Sequence, residues 1–337
     1  MSNKTNLKVT NVENFGIQRK MVSAITTESW ETIPHVSYMY EPTVTKFFEE
    51  FKKLNMHRTG ADKITFNTLM LRVIVEGLKA APQMNAHIRY NKDYVSGTIE
   101  TFENINISMT TILPNGEMMT TNLRDFQKRN LDDMTRYIAD LRRRAEKSDL
   151  NEAMFQVSYN KTINTIKQGK LAQAIRRILG AKIGKCRVKT LSGRAKKEYN
   201  AIPVTERLGD RDIEQGTVTV SNIGSLYLQQ KGALALLEII PPQVSAFAVG
   251  AVMDKPVVTE KENGEKEVTV GKVLPLCIAF DHRALDFGDI IPFIKRLDEI
   301  FENPKVIHQW VDEDKRIPDL HIEKRLNSKR EKSERTA

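Results

Sequence analysis

The feature that most constrains the fold of this chain is the run Val273–Phe280, which is apolar throughout except for a single proline. Such a run lacks the polar alternation of a half-exposed strand, and it predicts a strand covered on both faces. Asp281, His282 and Arg283 follow at once, and Asp286 lies four residues after the histidine. A histidine and a carboxylate are therefore predicted on the turn at the end of a core strand.

A helix is predicted directly after this turn. Asp289 is a candidate N-cap, Pro292 is acceptable in the first turn, and apolar residues recur at helical spacing as far as Asn303. Histidine has the unperturbed pKa nearest neutrality, and the end of a strand holds a side chain more rigidly than a free loop does. His282 is therefore a candidate general base, although an isolated Asp-His-Arg sequence is more often structural.

The 337 residues contain no apolar run of membrane-spanning length, and the N-terminus lacks the apolar centre of a secretory signal. The two cysteines, Cys186 and Cys277, lie in a basic segment and in the core strand respectively. This usage suits a reducing compartment and provides no metal-ligand spacing. We therefore expect a cytoplasmic protein that binds no metal.

The net charge of +9 is concentrated in one segment. Residues 161–200 contain twelve lysines and arginines and one acid, with isoleucines and leucines interspersed, which predicts a basic amphipathic helix or helix pair. Such a segment could be a solvated surface, or it could dock an acidic partner or an anionic lipid surface. Nucleic acid is disfavoured, because few aromatic residues interleave with the charges and no recognised motif is present.

Several segments resemble the catalytic cores of the dihydrolipoyl acyltransferases of 2-oxo acid dehydrogenase complexes. The sequence D-H-R-A-L-D-F-G at Asp281–Gly288 resembles D-H-R-x-x-D-G, and the chloramphenicol acetyltransferases share both the H-x-x-x-D-G form and the fold. One departure is that Phe287 stands where the family has glycine. Further resemblances occur in the family's order, within roughly residues 15–145 and 215–305. They are Arg19–Val36 (the opening helix), Pro82–Tyr90, Gly216–Ser225 (G-T-V-T-V-S-N-I-G-S, similar to the family's G-T-F-T-I-S-N-L-G) and Leu237–Val252.

The resemblance implies an α/β (α+β) fold of the chloramphenicol acetyltransferase type, with a mixed sheet and flanking helices. The expected organisation is an N-terminal arm at 1–18 and a catalytic domain at 19–305. The basic insertion interrupts this domain at about 146–215, and a charged, partly disordered extension follows at 306–337. Long insertions of this kind are often functional lids.

The resemblance also implies roles for individual residues in a trimer whose active site lies between subunits. His282 would be the general base, and the hydroxyl of Ser221 from the neighbouring subunit would stabilise the oxyanion. Asp286, paired with Arg19, would hold the turn, since a carboxylate beside such a site needs a partner. His35 is expected to be structural.

The implied reaction moves an acyl group from a coenzyme A thioester to a thiol, hydroxyl or amine, without a metal or an acyl-enzyme. Only about 18 residues precede the first motif, so no lipoyl group is expected on this chain. A free-standing acyltransferase is the favoured prediction. The alternatives are a core served by a separately encoded lipoyl domain and a non-catalytic trimeric binding or scaffold protein. Residues 161–200 could recognise an acidic carrier, either an acyl carrier protein or a lipoyl domain.

Overall fold

The computed structural model describes residues 8–112, 118–149, 151–155, 190–261 and 263–312. Its contacts separate the chain into two compact units. The smaller unit comprises Met1–Glu28 and Arg144–Glu214, and the larger unit comprises Ser29–Arg143 and Gln215–Ala337.

The α-helices with defined bounds are α1 (Ile17–Thr32), α2 (Thr45–Leu54), α3 (Phe66–Ala80), α4 (Leu131–Glu146), α5 (Gly193–Ala201), α6 (Asp210–Ile213) and α7 (Phe287–Glu302). Residues 151–155 are also helical. The strands are β1 (His35–Tyr40), β2 (Ala86–Asn91), β3 (Ser96–Thr101), β4 (Ile107–Ile112), β5 (Met118–Leu123), β6 (Val218–Asn222), β7 (Ser245–Val249), β8 (Met253–Glu260), β9 (Lys266–Val273) and β10 (Leu276–Asp281).

The larger unit is built on a six-stranded mixed sheet with the order β1-β10-β7-β6-β4-β5. The β7–β6 and β6–β4 pairs are parallel, and the other three are antiparallel. The pairs β2–β3 and β8–β9 form two separate hairpins. Every residue of the central strands β7 and β10 is buried, as the uninterrupted apolar run predicted.

Helices cover one face of this sheet, and an extended segment covers the other. On the helical face, Phe293 of α7 stacks on Phe247 of β7, with ring centroids 5.0 Å apart. Gly77 of α3 makes room for that ring, because a Cβ at this position would lie 2.6 Å from the Phe293 side chain. On the opposite face, Ile33 and Ile239 pack against alanines of β7 and β10. Both faces of the strands that lead to the candidate site are therefore closed to water.

The predicted core strand and the helix after its turn are both present, with corrections to their starts. The core strand β10 begins at Leu276, and Val273 belongs to the end of β9. The strand pairs β4–β5, β7–β10 and β8–β9 are antiparallel, and Asn130 caps α4 through the Asp133 N–H at 2.8 Å. The prediction that Asp289 is the N-cap of the last helix is wrong. That helix, α7, begins at Phe287, and Asp286 is its N-cap.

The smaller unit includes charged contacts near the end of α4. The guanidinium of Arg144 donates two hydrogen bonds, of 2.7 and 3.0 Å, to the carboxylate of Asp212, which is buried. Lys147 pairs with Glu206 at 2.6 Å. The predicted amphipathic helix within 161–200 lies largely outside the described residues, as does the C-terminal extension from residue 313 onward. Within the described ranges, no helix combines the length and the hydropathy that crossing a membrane requires.

Candidate active site

The turn after β10 is held by backbone hydrogen bonds at both ends. The Asp281 N–H donates to Val244 O at 2.9 Å, and the Leu285 N–H donates back to Asp281 O at 3.0 Å. The His282 N–H donates to Pro34 O at 3.1 Å, which ties the turn to the residue before β1. The backbone that carries His282 is therefore fixed by two other parts of the larger unit and by a hydrogen bond within the turn.

A buried ion pair supports the same turn. Asp281 is fully buried, and its carboxylate accepts from Nε of Arg283 at 3.0 Å and from Nη2 at 2.6 Å. The backbone N–H of Arg283 adds a third hydrogen bond at 2.9 Å. A carboxylate in this position requires such a partner, since an unpaired buried charge is strongly destabilising. No role was predicted for Asp281, although a charged residue that ends an apolar strand, with arginine two residues later, is the sequence signal of such a pair.

The imidazole of His282 is half-exposed, and its surroundings determine its tautomer. Nδ1 lies 3.1 Å from Leu285 O and 3.3 Å from Oδ1 of Asp286. Both neighbours are acceptors, so Nδ1 carries the proton and Nε2 of the neutral ring carries the free lone pair. The predicted proximity of His282 and Asp286 is thus present. The pair is solvent-exposed, with 52% and 82% of the two side chains accessible, so its Coulomb energy is screened.

Phe287 occupies the first position of α7 without distorting the turn. The Asp286 N–H donates to Oδ2 of Asp289 at 2.8 Å, so Asp289 acts from the third helical position. The Phe287 ring meets the ring of Tyr38 edge-on, with centroids 5.4 Å apart. A Cβ at Gly288 would meet no atom within 4 Å. An ordinary helix start, with no special need for glycine, accounts for the departure noted in the sequence.

Ser221 is half-buried near the end of β6, and no described residue hydrogen-bonds its hydroxyl. Strand register aligns Ser221 with Ala248 and Ala248 with Cys277, which precedes His282 by five residues. At ~3.3 Å per residue and ~4.8 Å per strand, the two Cα atoms are separated by roughly 19 Å. Within one chain, Ser221 and His282 do not reach a common reacting atom.

A family model described as 2-oxoacid dehydrogenases acyltransferase (catalytic domain) matches residues 6–167 and 189–309. The chain belongs to this family. The match is wider than the resembling segments found in the sequence, and it leaves 168–188 between its two parts. The predicted boundaries of the insertion, about 146–215, stay a prediction.

Two relatives of this acyltransferase domain illustrate the similarity. The chain is 22% identical over 286 residues to the dihydrolipoyllysine-residue acetyltransferase component of the mitochondrial pyruvate dehydrogenase complex of Schizosaccharomyces pombe, which covers 85% of the chain and 44% of the relative. It is 23% identical over 293 residues to the lipoamide acyltransferase component of the branched-chain alpha-keto acid dehydrogenase complex of Pseudomonas aeruginosa, covering 87% and 51%. The chain thus spans about half the length of these relatives.

Solved acyltransferase structures share this fold even though their sequence identity to the chain is low. A probable dihydrolipoamide acetyltransferase from Listeria monocytogenes aligns with a TM-score of 0.56 at 18% identity, covering 87% of this chain and 94% of that one. The dihydrolipoamide acetyltransferase of Azotobacter vinelandii aligns with a TM-score of 0.58 at 16% identity, covering 89% and 94%. The predicted fold class, a mixed sheet with flanking helices of this acyltransferase type, is confirmed.

The other residues that the acyltransferase resemblance singled out have different surroundings. Nδ1 of His35 lies 2.8 Å from Ile33 O, and its Nε2 accepts from the Ile239 N–H at 3.0 Å. Both ring nitrogens are engaged, so His35 is structural, as predicted. Arg19 lies on the exposed side of α1, in the smaller unit, and its pairing with Asp286 stays a prediction.

The acidic and thiol groups within the described ranges form no cluster of three or more metal-ligating side chains. Cys277 is buried in β10, and burial raises the pKa of its thiol to about 11. At neutral pH this thiol is protonated and shielded, which makes it unsuitable as a nucleophile. Asn67 of α3 was not predicted as a functional residue, and its side chain accepts a hydrogen bond from Asn222, the residue after Ser221.

Proposed function

We propose that this chain transfers acyl groups between coenzyme A and a thiol of the dihydrolipoyl class. The observation that carries the proposal is that Nδ1 of His282 faces two acceptors, Leu285 O and Oδ1 of Asp286, on a solvent-accessible turn. This arrangement leaves Nε2 as the base. The relatives, a dihydrolipoyllysine-residue acetyltransferase and a lipoamide acyltransferase, support a dihydrolipoyl thiol over a hydroxyl or an amine.

In the proposed reaction, Nε2 of His282 removes the proton from the attacking thiol. The sulfur then forms a bond to the thioester carbonyl carbon, and the carbonyl oxygen becomes an oxyanion. When the original carbon–sulfur bond breaks, the proton on Nε2 passes to the departing thiolate. Proton transfer by a positioned base contributes about 10²- to 10⁴-fold to such reactions. His282 therefore serves both transfer steps and ends in its starting state.

Asp286 and Leu285 would orient the imidazole through Nδ1 and favour the transient imidazolium. Crystallographic and enzymatic work on the Azotobacter vinelandii enzyme addressed the catalytic role of a serine, a histidine and an asparagine four residues after that histidine. In this chain, His282 and Asp286 have the same spacing. A carboxylate in place of an amide also balances part of the positive charge, although exposure limits its effect.

We propose further that the site is completed by a second copy of the chain, in a trimer. The roughly 19 Å between Ser221 and His282 within one chain supports this arrangement, since strand spacing sets that separation. Ser221 of one copy would donate its hydroxyl hydrogen to the oxyanion formed beside His282 of another. A single donor to an oxyanion is worth about 10²- to 10³-fold in kcat.

The first experiment measures free coenzyme A released from acetyl-, butyryl- and longer acyl-coenzyme A with dihydrolipoamide, amines or alcohols as acceptors. We expect release that depends on dihydrolipoamide and falls by at least about 10²-fold in His282→Ala. His57→Ala is the matched control, because it removes an exposed histidine far along the sequence from this turn. Equal release by wild type and His282→Ala would exclude His282 as the base. Release with alcohols or amines alone would favour the free-standing enzyme.

The arrangement between copies has its own test. His282→Ala and Ser221→Ala proteins are unfolded together, refolded and assayed. With random assembly, about a quarter of the sites receive an intact His282 from one copy and an intact Ser221 from another, and activity should recover to about that fraction. Failure to recover, with both proteins folded and oligomeric, would place the two residues in separate functions.

A further inference from the structure

We propose that Asn67 of α3 is a positioning residue for Ser221, acting through the side chain of Asn222. This inference rests on the proposed function, because it concerns the hydroxyl assigned to the oxyanion. Nδ2 of Asn222 donates to Oδ1 of Asn67 at 2.7 Å, across 155 positions of sequence. The contact joins a helix on one face of the sheet to the strand residue that directly follows Ser221.

The alternation of side chains along a strand explains why this contact is indirect. Ser221 pairs with Ala248 on the face that is packed by the extended segment, whereas Asn222 points to the opposite, helical face. Asn67 therefore contacts the residue after Ser221 and leaves the serine hydroxyl free. Since no described residue hydrogen-bonds that hydroxyl, its position depends on the backbone that carries it.

The turn after Asn222 is fixed at several further points. Oδ1 of Asn222 accepts from the Ser225 N–H at 2.9 Å, and its carbonyl accepts from the Ser225 hydroxyl at 2.8 Å. Gly224 lies so close to β7 that a Cβ there would be 2.3 Å from Gly250 O. Gln230 donates to Ile223 O at 2.8 Å. The hydrogen bond from Asn222 to Asn67 links this turn to α3, which lies outside the loop and its neighbouring strand. It therefore fixes the position of the end of β6 relative to α3.

The side-chain oxygens of Asn67 and Asn222 and the amide nitrogen of Asn222 have defined hydrogen-bonding roles. Asn67 supplies an acceptor, and Asn222 supplies the donor while its own oxygen is occupied by Ser225. The Asn67 Nδ2 lies 3.4 Å from Sδ of Met109, a weak acceptor, which orients the Asn67 amide with its oxygen toward Asn222. Replacing Asn67 with aspartate keeps the acceptor, and replacing it with alanine removes it.

The test compares steady-state coenzyme A release by Asn67→Ala, Asn222→Ala and the double variant. We expect Asn67→Ala to lower kcat about tenfold with KM within about twofold, because a displacement of about 1 Å costs up to about 100-fold. The double variant should be no slower than Asn222→Ala, since Asn67 acts only through Asn222. Asn67→Asp should recover most of kcat.

Thr65→Ala is the matched control for general weakening of α3. Its hydroxyl caps this helix by accepting from the Thr68 N–H at 3.1 Å, and it belongs to a different hydrogen-bond network from Asn222. We expect the kcat of Thr65→Ala to stay within about twofold of wild type, because this change should not displace Ser221. An equal loss of kcat in Thr65→Ala and Asn67→Ala, or additive losses in the double variant, would overturn the inference.

A readout without substrate separates this inference from the proposed function. In a Cys186→Ser background, Ser221→Cys introduces a thiol whose alkylation rate by iodoacetamide reports the geometry at position 221, because Cys277 is buried. We expect Asn67→Ala to change that rate several-fold and Thr65→Ala to leave it unchanged. An unchanged rate in Asn67→Ala overturns the positioning role. If wild type releases no coenzyme A but the rate does change, the proposed function alone fails.

Discussion

His282 lies on the turn after β10 and Ser221 lies just before the turn after β6, and the two turns are stabilised by different chemistry. The His282 turn depends on charge, with the buried Asp281–Arg283 pair beneath it and Asp286 beside the imidazole. The Ser221 turn depends on neutral amides and on the close approach of Gly224 to Gly250. Nearby carboxylates stabilise the positive charge that a histidine base acquires with its proton. Beside Ser221 they would repel the negative oxyanion that the hydroxyl is proposed to stabilise.

The largest effect is expected on the charged turn. Asp281→Ala removes the acceptor of three hydrogen bonds and leaves Arg283 without its partner. Breaking a buried pair in this way costs about 3–5 kcal/mol of unfolding free energy, measurable by urea denaturation. Arg194→Ala breaks an exposed pair with Glu198 and should cost less than about 0.5 kcal/mol. Equal costs would mean that the buried pair contributes no more than a surface pair.

The next effect depends on pH and concerns β10, the strand that leads to the His282 turn. Burial raises the pKa of the Cys277 thiol from 9.0 to about 11, so the unfolded chain loses this proton first as the pH rises. The contribution of the thiol is fully present below pH 9 and is lost between pH 9 and 11, by about 2–3 kcal/mol. Unfolding free energies of wild type and Cys277→Ala, compared at pH 8 and 11, isolate this loss. A constant difference would contradict it.

Gly224, in the turn after β6, and Gly288, at the start of α7, differ in the space around their Cα atoms. Gly224→Ala places a Cβ 2.3 Å from Gly250 O and should cost about 1–3 kcal/mol, because backbone atoms must move. Gly288→Ala meets no atom within 4 Å and lies in the first turn of α7, so it should be neutral or stabilise by up to about 1 kcal/mol. Thermal unfolding of the two variants measures both effects. Similar losses would refute the difference in packing.

The smallest effect is expected at Asp286. Because 82% of its side chain is exposed, its attraction to the imidazolium is worth about 1 kcal/mol or less. Asp286→Asn should therefore lower kcat by no more than about fivefold, since that factor corresponds to about 1 kcal/mol. A loss of 100-fold or more would show that a second copy of the chain shields this pair from water in the oligomer.

Local sequence pattern was sufficient to predict much of the fold and the His282 and Asp286 part of the candidate site. The apolar run before Asp281 predicted β10, and the spacing of His282 and Asp286 predicted their contact. The N-cap of α7 was misassigned because Asp286 and Asp289 both suit a helix start, and only the backbone hydrogen bonds distinguish the N-cap from the third position. Residues 156–189 and the C-terminal residues from 313 lie outside the described ranges, so the predictions made for them stay predictions.

The sequence by itself determined a buried strand, the residues at its end and the family to which the chain belongs, because these are local patterns. The tertiary structure decided which nitrogen of His282 is free, which carboxylate is buried and which helix contacts the strand of Ser221. Those contacts join residues as far apart as Asn67 and Asn222, and no local pattern encodes them. Strand order decided the separation of Ser221 from His282, because pairing brings β10, β7 and β6 side by side only in the folded sheet.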